Sequence, residues 1–582
     1  MRTNRKTEEK KMSMSKNIAR LAVTAGLTAA LSFGGVMAPV TMAFADDGDN
    51  SITITQSEGN ASTTFKAYQI FKADVVDPTE EGTADKIVSN VKWADDVEPS
   101  VQNAIIAAIE ADSKYETSNP KLPNKATAQD VADWLTKNVT GTNAETAVNK
   151  DHLLNKIAGI VKSGVTATGS SFLAGNSFTV PNDENNSPKT GYYLFLTDES
   201  SLSTSEAAKK NTGTSPIFAV VGGSSVTVTE KTSIPTVEKE VLEGGNWGKV
   251  SDSYIGEEVE YKLTGHVASN IDTFTKYEYT FQDHLSVGLE AIKSSVEVKI
   301  NGQVIQPANG YTVDLVDTKN ASGNLTGGQD LTISFSNLKD AAAAAGVTLR
   351  GDSKVVVTYK AKLTDKAEYT ATGNTNDVKL VYSNNPMVEG TGTSTPERVT
   401  DHVFRLDVTK VEKDNQNQKL EATFQVKMTK EGDTSLKTNR WLTQTGGITE
   451  NEKDAGKFKT DKETGKIYIP GLVEGTYEIT ECNTPAGYNT LAPFTITVKP
   501  KYNADGSLQS LDVTSSNTEM VTSSATNDAT IPVTIQNKKG SGLPLTGLNG
   551  VTFTWIAGGA VLCIGVAHLI RSRKQAEESE QE

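Results

Sequence analysis

The sequence predicts a mainly β protein made of tandem β-sandwiches, with helices inserted in its N-terminal domain. Segments such as "SSVEVKI" and "KVVVTYKAKL" alternate apolar and polar residues as half-buried strands do, and Gly, Asn and Asp turns separate them. Three segments carry apolar residues at helical spacing instead: "VQNAIIAAIEADSKY", "TAQDVADWLTKNV" and "DHLLNKIAGIVK". One further short helical turn is expected at "KDAAAAAGV".

The composition favours several domains and argues against nucleic acid as a partner. The chain has 582 residues, of which 36% are hydrophobic, so each of several domains can bury a core. Its formal charge is −15, whereas proteins that bind a phosphate backbone rely on clustered Lys and Arg. Of its two cysteines, Cys563 lies in an apolar run, which leaves Cys482 without a disulfide partner.

Residues 1–45 predict a secretory signal peptide. Basic residues precede an apolar segment rich in Ala and Gly, and an A-x-A pattern ends it, which puts the mature start near Asp46. Residues 46–231 then form an N-terminal domain that mixes strands with the three helices.

Strands dominate the next two domains. Residues 232–399 contain "EEVEYKLTGHV", "KYEYTFQDHL" and "NDVKLVYSNNP", which together predict a middle β-sandwich. Residues 400–540 run from "HVFRLDVTKVEKD" to "IPVTIQNKKG" and predict a C-terminal β-sandwich.

The end of the chain carries a second targeting pattern. Residues 551–570 are apolar, and about 20 residues rising ~1.5 Å each match the ~30 Å core of a bilayer, so a transmembrane helix is expected there. Residues 571–582 begin with basic side chains and form the expected cytoplasmic tail, which places the rest of the chain outside. The pentapeptide LPLTG precedes the span and comprises Leu543, Pro544, Leu545, Thr546 and Gly547.

The residue patterns of enzymes, metalloproteins and cofactor-binding proteins are missing from the sequence. There is no G-x-S-x-G, Walker or G-x-G-x-x-G context, and Cys482 has no nearby His to activate it. We therefore expect no activity on an external substrate, no cofactor and no metal. The histidines lack metal-ligand spacing and are expected at the surface; they are His152, His266, His284, His402 and His568.

LPLTG, the apolar span and the basic tail, in this order and after a signal peptide, resemble the cell-wall sorting signal of Gram-positive surface proteins. The resemblance implies that a sortase cysteine attacks the bond between Thr546 and Gly547 and passes the Thr546 carbonyl to an amine. Pro544 fixes φ before this bond, and Gly547 leaves room for the nucleophile. The chain would then be a substrate for acyl transfer.

The segment "GKIYIPGLVEGTYEITECNTPAGY" resembles the E-box of Cna-B type domains. It departs from the usual pattern at Cys482 and Thr484, and it matches at Tyr477, Ile479, Glu481, Pro485, Gly487 and Tyr488. With the sorting signal, this makes the chain similar to major (backbone) pilins of sortase-assembled Gram-positive pili. That family implies tandem immunoglobulin-like domains of the Cna-A and Cna-B types.

The same resemblance implies intramolecular isopeptide bonds between Lys and Asn, catalysed by a nearby Glu or Asp. Burial suits this chemistry, because it lowers the pKa of the attacking Lys and raises the pKa of the carboxyl that polarises the Asn carbonyl. In the C-terminal domain the matching residues are Lys410, Glu481 and Asn537. Strand alternation puts each of them on an apolar face.

In the middle domain the resemblance points to Lys239, Asp283 and an Asn. Asn376 has the parity of inward-facing strand residues, but Asn374 and Asn384 share that parity, so the choice stays open. In the N-terminal domain Lys66 is expected to face inward beside apolar neighbours. No partner stands out there, and no bond is predicted.

Polymerisation of a backbone pilin implies an acceptor lysine in a motif W-x-x-x-V-x-V-Y-P-K. The segment "GGSSVTVTEK" keeps Val226, Val228 and Lys231 of that motif, so an exposed Lys231 is the expected acceptor of Thr546 from a neighbouring copy. The implied partners are a pilus-specific sortase, a housekeeping sortase, other copies of the chain, accessory pilins, peptidoglycan and a host ligand.

Two other functions share parts of this pattern. A monomeric adhesin anchored to the cell wall would use the same sorting signal and would bind a host ligand through its first domain. A surface hydrolase is the weaker alternative, because the sequence shows no catalytic constellation for it. Each of these functions places the chain outside a Gram-positive cell.

Overall fold

The computed structural model describes residues 49–540 except 58–59, 61, 78–85, 119, 140–149, 203–210, 231, 321, 352 and 433–436. The predicted signal peptide, LPLTG motif, transmembrane helix and cytoplasmic tail lie outside the described residues, and so do Lys231 and His568. Within the described part of the chain, no helix combines the length and the apolar character that crossing a bilayer requires.

The N-terminal region combines two sheets with three helices. Its strands are β1 (Ser51–Thr55), β2 (Thr64–Val76), β3 (Ile87–Trp93), β4 (Phe172–Leu173), β5 (Ser177–Thr179), β6 (Gly191–Thr197), β7 (Ile217–Val221) and β8 (Val226–Thr229). Its helices are α1 (Pro99–Glu110), α2 (Ala128–Asn138) and α3 (Leu153–Gly164), with a 3-10 turn at Glu199–Ser201. One sheet has the order β5-β1-β8 and the other β3-β2-β6-β7, with β4 beside β2.

The three helices form where the helical spacing of apolar residues predicts them. Helix α1 starts at Pro99, which has no N–H to leave unpaired in the first turn. Helix α2 starts with a capping box between Thr127 and Asp130. Their apolar faces, including Ile105 and Leu135, share one buried core with the β3-β2-β6-β7 sheet. Packing against the sheet stabilises helices that are only three turns long.

The middle region is a β-sandwich. Its strands are β9 (Thr236–Glu243), β10 (Asn246–Gly248), β11 (Val250–Asp252), β12 (Glu258–His266), β13 (Tyr279–Leu285), β14 (Leu289–Ile300), β15 (Gln303–Ile305), β16 (Tyr311–Lys319), β17 (Leu325–Phe335), β18 (Lys354–Leu363), β19 (Asn374–Ser383), β20 (Thr391–Thr393) and β21 (Glu397–His402). Helix α4 (Leu338–Ala344) and 3-10 turns at Ile271–Thr273 and Pro307–Asn309 connect them. The sheet β10-β9-β12-β18-β14-β15 packs on β11-β21-β19-β13-β17-β16, in which β20 pairs with β19.

The C-terminal region is a second sandwich. Its strands are β22 (Phe404–Glu412), β23 (Thr423–Glu431), β24 (Lys437–Leu442), β25 (Ile448–Thr449), β26 (Phe458–Lys459), β27 (Lys466–Leu472), β28 (Gly475–Asn483), β29 (Phe494–Tyr502), β30 (Leu508–Ser515), β31 (Val521–Ser523) and β32 (Thr530–Asn537), with a 3-10 turn at Glu452–Asp454. The sheet β27-β22-β32-β31 faces β25-β24-β23-β28-β29-β30, and β26 pairs with β23. The first and last strands, β22 and β32, are therefore parallel neighbours.

Both sandwiches and the mixed N-terminal region confirm the predicted mainly β fold. Strand β21 pairs with β19, so the middle sheet runs to His402, beyond the expected boundary at residue 399. His402 is fully buried, and the expectation that it lies at the surface was wrong. Its Nε2 is 2.9 Å from the Gly506 carbonyl oxygen and its ring stacks on Tyr502, since it lies where the two sandwiches meet.

A buried carboxyl, Asp401, and a partly buried one, Asp252, lie at this joint between the sandwiches. Asp401 is 1% exposed, and its Oδ1 accepts hydrogen bonds from Ser251 (2.7 Å) and Ser253 (2.9 Å). Asp252 accepts one from the Glu474 backbone N–H across the joint, at 2.8 Å. Desolvation by burial raises the pKa of Asp401 to about 7 and that of Asp252 well above its ordinary range. These carboxyls are therefore more easily protonated in the folded protein than in the unfolded chain.

Asp401→Asn should flatten the pH dependence of stability. Because the folded pKa is about 7 and the ordinary value is 3.8, the stability that Asp401 contributes is present below pH 3.8 and is lost as pH rises through 7. The variant should remove about 1–4 kcal/mol of this loss. Chemical unfolding at a series of pH values measures it, with exposed Glu290→Gln as the control. The same slope in Asp401→Asn and wild type would contradict this origin.

Candidate functional site

The C-terminal sandwich brings its predicted lysine, glutamate and asparagine into one buried cluster. Lys410 continues the inward face of β22, and Asn537 ends the adjacent parallel strand β32. Glu481 lies on β28 of the facing sheet. Lys410 and Asn537 are fully buried and Glu481 is 5% exposed. Strand alternation therefore places all three polar side chains between the two sheets.

Glu481 contacts both the amine and the amide of this cluster. Lys410 Nζ lies 3.1 Å from Glu481 Oε1 and donates to Asn537 Oδ1. Asn537 Nδ2 donates to both carboxylate oxygens of Glu481 at 3.0 Å. Thr484, one of the departures from the E-box pattern, donates to Glu481 Oε2 at 3.2 Å, as does the Leu491 backbone N–H at 2.8 Å. The carboxyl is thus held in place from several sides.

Burial prepares Lys410 for nucleophilic attack. Desolvation lowers the pKa of Lys410 to about 8, although nearby Glu481 opposes the shift. With this pKa, roughly a tenth of the amine is neutral at pH 7, compared with less than a thousandth for an ordinary lysine. The amine therefore carries a usable lone pair while its hydrogen bond holds it beside the Asn537 amide.

The middle sandwich holds a second cluster of the same residue types. Lys239 lies on β9, whereas Asp283 and Asn376 lie on neighbouring strands β13 and β19 of the facing sheet. Lys239 and Asn376 are fully buried and Asp283 is 2% exposed. Lys239 Nζ contacts Asp283 Oδ1 and donates to Asn376 Oδ1 at 2.8 Å. Desolvation lowers the pKa of Lys239 to about 8 and raises the pKa of Asp283, with their mutual attraction opposing both shifts.

The structure shows which of the three asparagines that the sequence left as alternatives contacts Lys239. All three are buried, but only Asn376 among them contacts Lys239. Asn374 instead bonds the backbone of Glu368 and Asp401. Asn384 donates to the Asn211 carbonyl oxygen of the N-terminal region at 3.3 Å. Parity alone could not distinguish them, because alternate residues of a strand share a face.

Sequence analysis missed Tyr359 of β18, which completes the middle cluster. Its hydroxyl donates to Asp283 Oδ2 at 2.6 Å and accepts from Asn376 Nδ2 at 2.7 Å. Its ring stacks on Tyr261 with centroids 5.4 Å apart. The segment "KVVVTYKAKL" offered a signal, because Tyr359 has the parity of its inward valines and a buried tyrosine hydroxyl usually requires a polar partner.

The family comparison covers the C-terminal sandwich. Its match to a family model spans residues 404–516, and that model is described as SpaA, a prealbumin-like fold domain. Residues 404–516 are therefore similar to a SpaA prealbumin-like domain. The match confirms the expected β-sandwich in this region, and it includes Lys410 and Glu481 but ends before Asn537.

Several solved structures are similar to the chain. The T6 backbone pilin of Streptococcus pyogenes is 16% identical with a TM-score of 0.47, and the match covers 86% of this chain and 100% of that one. The major pilin SpaA of Corynebacterium diphtheriae is 14% identical with a TM-score of 0.45, and the match covers 84% of this chain and 100% of that one. Comparison with curated protein sequences finds no match.

The N-terminal region does not contain a comparable lysine cluster at Lys66. The expectation that Lys66 faces inward was wrong: its side chain is 40% exposed and its Nζ lies 3.1 Å from Asp198 Oδ1. Its strand neighbours Phe65 and Ala67 lie in the core on one face of the sheet, so alternation puts Lys66 on the other face, where its amine reaches Asp198. In the part of the chain that the structure describes, no group of His, Cys, Asp or Glu has the arrangement of a metal site.

Burial predicts which lysines react with a water-soluble amine reagent. Lys410 of the C-terminal domain and Lys239 have no exposed side-chain surface and should stay unlabelled in the native protein. Lys66, with 40% of its side chain exposed, should be labelled within minutes and is the control. Peptide mass spectrometry after brief labelling reads out each position. Equal labelling of all three would contradict the buried clusters.

Proposed function

We propose that the chain is the structural backbone subunit of a covalently polymerised pilus on a Gram-positive cell. The observation that carries this proposal is the pair of buried clusters, each of which joins a lysine, a carboxyl and an asparagine between two sheets. The sorting signal and the signal peptide supply the second part of the argument. The role of the chain is then structural rather than enzymatic.

In each cluster the lysine and asparagine would form an isopeptide bond. The neutral Nζ attacks the asparagine Cγ, the Nζ–Cγ bond forms, the Cγ–Nδ2 bond breaks, and one ammonia leaves. The carboxyl of the cluster, Asp283 or Glu481, would assist the transfer of a proton from the amine to the leaving nitrogen. The contacts support this step, since the amine already lies against the amide oxygen in both domains.

Such bonds would lie where tension loads the subunit. In the C-terminal domain the bond from Lys410 to Asn537 joins β22 to β32, the first and last strands. In the middle domain the bond from Lys239 to Asn376 joins the first strand β9 to β19 of the opposite sheet. Each backbone hydrogen bond contributes only ~1 kcal/mol, so a covalent link resists separation far better than the ladder around it.

Polymerisation would proceed through the sorting signal. A pilus-specific sortase would cleave between Thr546 and Gly547 and link Thr546 to Lys231 of the next copy, while a housekeeping sortase would attach the polymer to peptidoglycan. Glu230, just before Lys231, is 3% exposed and accepts a hydrogen bond from Asn60 at 2.6 Å. This contact holds the residue that precedes the proposed acceptor in the sequence. Accessory pilins would join the fibre, which would support adhesion by binding a host ligand.

The exported region should weigh two ammonia molecules less than its sequence. Glu481→Gln should recover one ammonia, because the carboxyl that assists Lys410 is then lost, while the cluster in the middle domain is unchanged. Glu478→Gln is the matched control, since Glu478 lies on the same strand with the opposite parity. Intact-mass spectrometry of the denatured protein measures both. A wild-type mass equal to the sequence mass would contradict the proposal.

Lys231→Ala should abolish covalent polymerisation. Cells that carry the sortase should give a ladder of multimers on denaturing gels with the wild type, and a single wall-linked species with the variant. Lys293→Ala, which removes an exposed lysine of the middle domain, should leave the ladder intact. A single species with the wild type would favour the monomeric adhesin instead.

A further inference from the structure

The two clusters differ in how the carboxyl reaches the asparagine amide. In the C-terminal domain Glu481 contacts both Lys410 Nζ and Asn537 Nδ2 directly. Asp283 has one methylene fewer than a glutamate. Its Oδ1 contacts Lys239 Nζ, and its Oδ2 bonds the Tyr359 hydroxyl, which in turn bonds Asn376 Nδ2. The Asp283 carboxyl and the Tyr359 hydroxyl together thus make the contacts with amine and amide that Glu481 makes alone.

These contacts form a continuous hydrogen-bonded path from the attacking nitrogen to the leaving nitrogen. The path runs from Lys239 Nζ through both oxygens of Asp283 to the Tyr359 hydroxyl, and from there to Asn376 Nδ2. The Tyr359 hydroxyl oxygen lies 2.6 Å from Asp283 Oδ2 and 2.7 Å from Asn376 Nδ2. Both distances are suitable for proton transfer.

We propose that Tyr359 is a catalytic residue of isopeptide formation in the middle domain, where its hydroxyl delivers a proton from Asp283 to the leaving nitrogen of Asn376. The inference rests on the proposed function, because it requires Lys239 and Asn376 to react.

The proton balance of the step closes around this path. Lys239 Nζ bonds to Asn376 Cγ and gives one proton to Asp283 Oδ1. The Tyr359 hydroxyl, which donates to Asp283 Oδ2 before the reaction, turns to Asn376 Nδ2 and gives its proton to that nitrogen, which leaves as ammonia when the Cγ–Nδ2 bond breaks. The Asp283 carboxyl, which has gained the lysine proton, then returns one proton to the Tyr359 oxygen. Asp283 and Tyr359 end in the protonation states in which they began. The step needs no oxidant, reductant or added water.

Burial of the site favours a protein group over water as the proton donor. Tyr359 and Asn376 are fully buried, and Asp283 is 2% exposed, so bulk water does not reach the leaving nitrogen. The amide nitrogen donates to Tyr359 before reaction, but it gains a lone pair when Cγ becomes tetrahedral and can then accept from the same hydroxyl. Burial also raises the pKa of Tyr359, which keeps its proton in place.

The test follows bond formation in protein freshly made by cell-free synthesis. Samples are quenched at intervals, and the linked peptides of each domain are quantified by mass spectrometry. Tyr359→Phe should slow bond formation in the middle domain about 100-fold or more, while the C-terminal domain of the same molecule reacts at the wild-type rate. Tyr279→Phe is the matched control, because Tyr279 is equally buried in the same core and bonds the His266 carbonyl oxygen.

A longer carboxyl should replace the missing hydroxyl. Adding Asp283→Glu to Tyr359→Phe should restore at least a tenth of the wild-type rate, because the glutamate can contact Asn376 as Glu481 contacts Asn537. Equal rates in Tyr359→Phe and Tyr279→Phe would overturn the inference. So would a double variant that melts like the wild type but remains slow.

The experiment stays decisive if Tyr359→Phe does not fold. A fluorinated tyrosine inserted at Tyr359 keeps the ring and hydroxyl but makes the hydroxyl more acidic, so the rate should change in the middle domain alone. An unchanged rate there would overturn the proton-transfer role. A wild type that loses no ammonia in either domain would contradict the proposed function itself, whereas equal rates in all variants would contradict only the role of Tyr359.

Discussion

The chemistry of both sandwiches depends on the desolvation of a buried lysine that contacts a carboxyl and a carboxamide. A charged pair in such a place costs free energy unless it is fully bonded, and replacing it with apolar side chains is often neutral or stabilising. Two sandwiches nevertheless keep Lys239 and Lys410 at 0% exposure. The proposed covalent product would explain why, since the bond would remove both the charge and the competing protonation states. The burial that is unfavourable for an ion pair is favourable for the reaction.

The clusters also explain the arrangement of the strands. In the C-terminal sandwich the first and last strands are parallel neighbours, so a link between them closes the domain at both ends of its chain. The sandwiches then meet through hydrogen bonds between side chains and backbone groups, such as the Asp252 carboxyl with the Glu474 N–H and the His402 ring with the Gly506 carbonyl oxygen. Each of the two sandwiches would resist extension through its own link, and the joint between them would depend on weaker, titratable contacts.

Sequence reasoning identified much of this but failed at particular residues. The resemblance to backbone pilins pointed to Lys410, Glu481 and Asn537, and strand alternation supported the choice, because a strand has a period of two and each side chain continues an apolar face. The choice of Asn376 required coordinates, because parity cannot measure distance along a strand. Tyr359 was missed for a related reason: it is an inward aromatic residue, and only its partners distinguish it from core packing. His402 was expected at the surface, because a joint between domains leaves no local pattern in the sequence.

The central claim is that these buried contacts become covalent. A crystal structure of the exported region at high resolution tests it most directly, through the electron density at both clusters. The account predicts continuous density of amide length from Lys410 Nζ to Asn537 Cγ and from Lys239 Nζ to Asn376 Cγ, with the Nδ2 atoms absent. Separate side chains with intact carboxamides at both clusters would contradict it.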